Sequence, residues 1–434
     1  MSSKARGNVM HDFVLPTILF MSIGGMTWAV RGCAGFGAGS GCIFAGVMLS
    51  TAWWYIARDP APVQSRRYAS GWIVLAMTIG FGIAGTRGWM QWPHFFHEAL
   101  YTNNSKGEFI PISRSWGFLW MFLAGVPWAG IPACFIAWTT SSRRTKPWQW
   151  LLRLALCLGM AWLLGKYIYD LRRGWFLPLY DEAYDYYQHP ELYPDIKKLI
   201  RDHGEALMML GFYLSALLFE IIRRDWKNTL LIVTVGLVNG IGWSLLQCWM
   251  WSARAWPGAQ FNFWRAWETS AGLSVGLAFG MAYYLVNRPM KKKELDIQAE
   301  RLKSGRASPL WLIAFIASAL VLGWPEFFLV RSIPELHWFF TEWMTRLTPF
   351  PQDPSGASEL IQVWLSFWPH WLFIIILAAF GVAFFVMGNR KSAGDRVWAV
   401  NGPLLEKWGL YTGLILGLGL SIQNGLRGWA IIYL

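Results

Sequence analysis

The sequence predicts a polytopic α-helical membrane protein, and three observations predict it. Charged residues make up only 15% of the 434 residues, against 55% hydrophobic ones; soluble domains carry roughly 25% charged residues. Many apolar runs reach the roughly 20 residues that a helix needs to cross a hydrocarbon core about 30 Å thick. The loops between those runs alternate in charge, as the positive-inside rule requires of a multi-pass chain. Short alternating apolar and polar strands are missing, which argues against a β-barrel. A net charge of +13 could suggest a nucleic-acid partner. The basic residues sit in short loops, so membrane orientation accounts for them and no nucleic acid is expected.

Eleven spans follow in order, at about 13–30, 34–57, 69–86, 115–139, 148–169, 205–222, 228–250, 267–287, 309–330, 360–387 and 403–426. The first follows Lys4 and Arg6 and resembles a signal peptide. Arg31 interrupts the small-residue region and no Ala-x-Ala site follows, so the run reads as an uncleaved span. Every second loop is basic: Arg58, Arg66 and Arg67; Arg143, Arg144 and Lys146; Arg223, Arg224 and Lys227; the connector 288–308; then Arg390, Lys391 and Arg396. The intervening loops hold Glu98 and Glu108, then Asp181, Glu182, Asp185, Glu191 and Asp195, then Glu335, Glu342 and Asp353. This places the N-terminus in the cytoplasm and the C-terminus outside, and suits a bacterial inner membrane. The whole of 1–434 reads as one integral membrane domain, with 170–204 as an outer aromatic and acidic loop.

Arginine followed by glycine recurs at the outer ends of odd-numbered spans. It appears as Arg31-Gly32, Arg87-Gly88-Trp89, Arg173-Gly174-Trp175 and Arg427-Gly428-Trp429. Divergent hairpin duplication could produce such a series, although the spacing is irregular. Each arginine alone suits a helix C-terminus, where the dipole favours cations. As a set, Arg31, Arg87, Arg173 and Arg427, with Trp89, Trp429 and Gln247 at the same depth, form the candidate ligand-binding residues. Arginine pairs bidentately with carboxylate, sulfate or phosphate.

Glycine carries a packing signal too. Gly272, Gly276 and Gly280 clear one stripe of span eight for close approach of another helix, and Gly413 and Gly417 lie in span eleven. The run from Gly35 to Gly41 meets neither the P-loop nor the dinucleotide spacing, so no cofactor is expected from it. His94, His97 and Glu98 form a weak metal candidate, against the plainer reading of interfacial histidines among aromatics. Glu268, Glu326 and His97 are the weak catalytic candidates, with Glu268 equally suited as a helix N-terminal anion. Asn239 and Gln247 are amides in apolar surroundings, able to bind a solute or to join helices. The five cysteines are scattered without a CxxC pair.

Three functions are consistent with this pattern. The first is a transporter or permease-like protein that binds an organic anion or acidic sugar at an outward-facing site of arginine and tryptophan. The second is a membrane-embedded enzyme acting at the periplasmic face on an anionic lipid or glycan, a role ranked below transport. The third is a non-catalytic scaffold subunit. The expected partners are the lipid bilayer, an anionic small molecule, glycan or lipid headgroup, and a second copy or another membrane subunit.

Overall fold

The computed structural model describes residues 9–33, 38–59, 64–85, 92–140, 145, 147–296, 409–410 and 413–414, with backbone alone at 31–33, 38–40 and 147. Spans nine and ten, and most of span eleven, lie outside the described residues. The described residues are mostly helical. A π-helical turn, Met10–Val14, runs into α1 (Leu15–Cys33). The apolar helices α2 (Ala38–Ala57) and α3 (Trp72–Gly85) follow. A 3₁₀ turn at Trp92–His97 leads to an antiparallel hairpin, β1 (Ala99–Asn103) and β2 (Glu108–Pro111). Leu100 pairs with Ile110 and Tyr101 with Phe109. Gly107 turns the hairpin with φ 71°, a left-handed conformation that costs glycine nothing.

Helix α4 (Arg114–Thr139) starts where the Ser113 side chain accepts from the Ser115 amide, satisfying one of the free donors at a helix start. Helix α5 (Pro147–Trp162) continues through a π-helical stretch, Leu163–Ile168, into α6 (Tyr169–Leu171). After a short 3₁₀ turn come α7 (Tyr184–Gln188) and α8 (Pro194–Ile222). Asp225 caps α9 (Trp226–Leu246), which breaks at Gln247 and resumes as α10 (Cys248–Ala255). Asn262 caps α11 (Phe263–Val286).

Six of the described helical segments are long and apolar enough to cross a membrane. They are Met10–Val30, Arg114–Thr139, Trp148–Leu171, Pro194–Ile222, Trp226–Ala255 and Phe263–Val286, with Gly41–Ala57 and Trp72–Gly85 as shorter apolar helices. The chain is therefore a multi-helix protein of integral-membrane character. Helix α8 starts eleven residues before the span expected at 205–222, because Ile196, Leu199 and His203 bury one stripe of its first turns. The segment 170–204 thus contains α7 and about three turns of α8.

The helices alternate in direction, which gives the bundle two ends. At one end lies the β-hairpin; at the other, a strap at 64–71 joins α2 to α3. Helices α1 and α11 run antiparallel in backbone contact. A methyl group on Gly272 would strike the Gly24 carbonyl; one on Gly276 would strike that of Phe20; one on Gly280 would come within 2.6 Å of Thr17 Oγ1. The glycine stripe predicted for span eight thus packs as expected. Gly413, helical in span eleven, lies equally close to the Leu75 backbone of α3. Aromatic rings fill the middle of the bundle. Trp28 meets Trp128 at 5.1 Å and Phe81 at 6.4 Å, and Trp128 meets Trp243 at 4.9 Å. Each such pair contributes about 0.5–1.5 kcal/mol beyond its buried area.

Candidate functional site

Two helix registers fix a level within the hairpin half of the bundle. In the first, α1 and α11 bring Thr17 to Gly280, Phe20 to Gly276 and Gly24 to Gly272. In the second, α9 and α11 bring Gly242 against Ser274, and the Trp249 indole donates to Ser270 Oγ at 3.1 Å. Followed along α11, these registers bring Trp28 and Gln247 to within about one turn of Glu268. Gln247 is 0% exposed and Glu268 6%. Two polar side chains are thus buried on neighbouring helices, above a floor made by Trp28, Trp128 and Trp243.

Gln247 occupies the point where the α9–α10 span breaks. Its amide donates to the Trp243 carbonyl at 3.3 Å, while its Oε1 is buried without a hydrogen-bond donor. About two turns deeper on α9, Asn239 donates to the Gly125 carbonyl at 2.8 Å and likewise leaves Oδ1 unmatched. A buried acceptor without a donor costs about 1–3 kcal/mol, so Gln247 Oε1 offers a ready partner to a ligand hydroxyl or amine.

The arginine series divides. Arg31 belongs by backbone to the last turn of α1, one turn beyond Trp28, and its side chain lies outside the described residues. Arg87, Trp89, Glu326, Arg427 and Trp429 also lie outside them. Arg173 is described. It pairs with Asp170 at 3.0 Å, and Asp170 also holds Lys166 at 2.8 Å. That arrangement is a local ladder at a helix end.

His97 ends the 3₁₀ turn and Glu98 follows it, under α10. His97 Nε2 donates to the Met250 carbonyl at 2.9 Å, and Arg254 donates to the His97 carbonyl. Glu98 faces Arg114 at 3.2 Å and Arg254 at 3.7 Å, on the surface. Burial, and then the neighbouring His97, hold the His94 imidazole below the usual histidine range. No group of three or more His, Cys, Asp and Glu side chains among the described residues could hold a metal ion.

A second polar centre was not legible as such in the sequence. At the strap end, Arg153 of α5 donates to Glu220 of α8 at 2.6 Å, with side chains 1% and 0% exposed. Trp138, Trp150 and Phe219 surround the guanidinium at 5.4, 5.1 and 4.7 Å. Asn228 of α9 donates to Glu220 Oε2 at 3.1 Å and to the Ala137 carbonyl at 2.9 Å. From the strap, Tyr68 donates to Asn228 Oδ1 at 2.6 Å, and Arg67 pairs with Asp225 at 2.9 and 3.0 Å. Burial drives the Tyr68 phenol above its usual range, so it stays protonated and donates. The signal was present: Arg153 inside span five and Glu220 inside span six are complementary charges within apolar helices, and such charges face the protein interior.

Comparison with protein families, curated proteins and solved structures gives no match.

Proposed function

We propose that the chain is a multi-pass transporter or permease-like protein that binds an anionic solute, an organic anion or acidic sugar, in the hairpin half of the bundle. One observation carries this reading: Gln247 is fully buried at a helix break, its Oε1 unmatched, at the level of the buried Glu268. The irregularity there is one residue long, and irregular backbone at membrane depth is tolerated where it is buried in protein or lines a cavity. Arg31, Arg87 and Arg427 supply the cationic contacts, and the tryptophans at that depth stack on a sugar face. Glu268 is the proton-coupling candidate at that level, as an ionisable residue on an apolar helix. In this reading the hairpin end faces outward, the N-terminus is cytoplasmic, eleven spans cross a bacterial inner membrane, and the hairpins arose by divergent duplication.

An enzyme acting at the same face draws less support. His97 Nε2 and Glu98 are already committed to Met250, Arg114 and Arg254.

The test is thermal stability of the purified protein against a panel of organic acids, uronic acids, sulfate and phosphate. A solute at about 100 times its Kd stabilises by roughly 2.7 kcal/mol. A hit should weaken at least about tenfold in Arg31→Ala, Arg87→Ala, Arg427→Ala and Gln247→Ala, given the strength of charge-assisted hydrogen bonds. Unchanged binding in all four variants, or a panel with no hit, sinks the proposal.

A further inference from the structure

The strap at 64–71 touches both sides of the bundle, and its contacts divide unequally between them. Toward α1 and α11 it is held many times over. Arg66 donates to Asp12 Oδ1 and to the Asn287 carbonyl, each at 2.7 Å. The Met290 amide donates to the Ser65 carbonyl at 2.7 Å, and Arg66 forms an antiparallel bridge with Pro289. The Tyr68 amide donates to Asn287 Oδ1 at 2.8 Å, and Asn287 Nδ2 returns a bond to the Tyr68 carbonyl at 3.2 Å. That carbonyl also accepts from Trp53 Nε1 of α2 at 3.0 Å. Toward α9 the strap reaches out with two side chains: Arg67 pairs with Asp225, and the Tyr68 hydroxyl donates to Asn228.

We infer that the strap is the gate of the bundle at its strap end, closed here, and that it opens by releasing α9 while staying docked on α2 and α11. This rests on the transport reading, since alternating access requires one end to seal while the other admits solute. Residues Arg67 and Tyr68 are the latch. Behind them Asn228 is held by Ala137, Thr140 and Glu220, so its place on α9 is fixed before the latch closes on it. Release breaks an ion pair whose carboxylate is 1% exposed and one short hydroxyl–amide bond. It leaves the α1–α11 glycine contact intact. Arg66 and Arg67, which the sequence presents only as markers of orientation, thus separate into an anchor and a latch.

Val235 of α9 reports on the opening. It is 0% exposed and lies on the stripe of Asn228, about two turns deeper. In protein with Cys33, Cys42, Cys134, Cys157 and Cys248 replaced by Ala, Val235→Cys is the single thiol. It is labelled in lipid nanodiscs with a membrane-impermeant maleimide and no solute. A control restores only the native Cys42, which is buried on α2 in the hairpin half. Arg67→Ala combined with Tyr68→Phe should speed labelling of the cysteine at 235 about tenfold, as a latch on a minor open state requires. Labelling of Cys42 should not change. Asp225→Asn, which keeps a side-chain oxygen to cap α9, should act in the same direction. The gate is refuted if the cysteine at 235 stays as protected as in the parent with Arg67 and Tyr68 intact, or if Cys42 labelling rises in parallel, which marks general loosening. Because no solute is present, a protein that labels as expected but binds no anion overturns the transport reading and leaves the strap mobile; a protein that binds anion but shows no latch effect overturns this inference alone.

Discussion

Arg153 and Glu220 test how buried charge is held in this bundle. Neither side chain reaches solvent, and the aromatic faces of Trp138, Trp150 and Phe219 replace part of the guanidinium's hydration. Removing one member strands the other, a loss of about 3–5 kcal/mol. Arg153→Ala and Glu220→Ala should therefore each lower stability strongly in detergent denaturation. Arg153→Met with Glu220→Leu should recover most of the loss, since a well-packed apolar pair replaces a buried ion pair at little cost. A double variant as unstable as the singles would show that the pair does more than neutralise itself. At this scale the sequence was partly legible. Gln247 and Glu268 stood out as polar groups on apolar helices. Asp12 and Asp225 did not, because an acid beside a basic loop looks like noise in an orientation rule that counts lysine and arginine.

The helices themselves were more legible. Eight predicted spans have a helical counterpart among the described residues, since long apolar runs leave the backbone no other way to satisfy itself in lipid. The hairpin Ala99–Pro111 was missed. Its strands are short, with only a weak alternation of burial. The early start of α8 was missed because hydropathy does not register an amphipathic first turn. Glycines give the sharpest test at this scale. Gly276→Leu should cripple folding, because no side chain fits between α11 and the Phe20–Met21 backbone. Gly159→Leu on α5 should be tolerated, because nothing lies within 4 Å of its added carbon. Yield of monodisperse protein from each variant decides it, and equal yields would contradict the register given for α1 and α11.

For the whole molecule, the proposed topology has eleven spans, an odd number of crossings, with the basic loops on the N-terminal side. A fluorescent protein that folds only in the cytoplasm should be dark when fused after Leu434 and bright when fused before Met1. Alkaline phosphatase, active only outside, should give the opposite result. A bright C-terminal fusion would remove one span from the eleven or add one. Helix identity could be read along the chain, but the strap could not. Its partners Asp12, Asp225, Asn228 and Asn287 come from three distant stretches, and only folding brings them together.

The contact between α1 and α11 also sets a schedule for synthesis. Gly24 and Gly272 are separated by roughly 250 residues, and a ribosome adding about 5–20 residues per second needs roughly 10–50 s to cover that distance. During that interval the bare glycine face of the first helix has been made and its partner has not. The α1–α11 contact therefore closes only after the six predicted spans between them have been made, with the three predicted after α11 still to come.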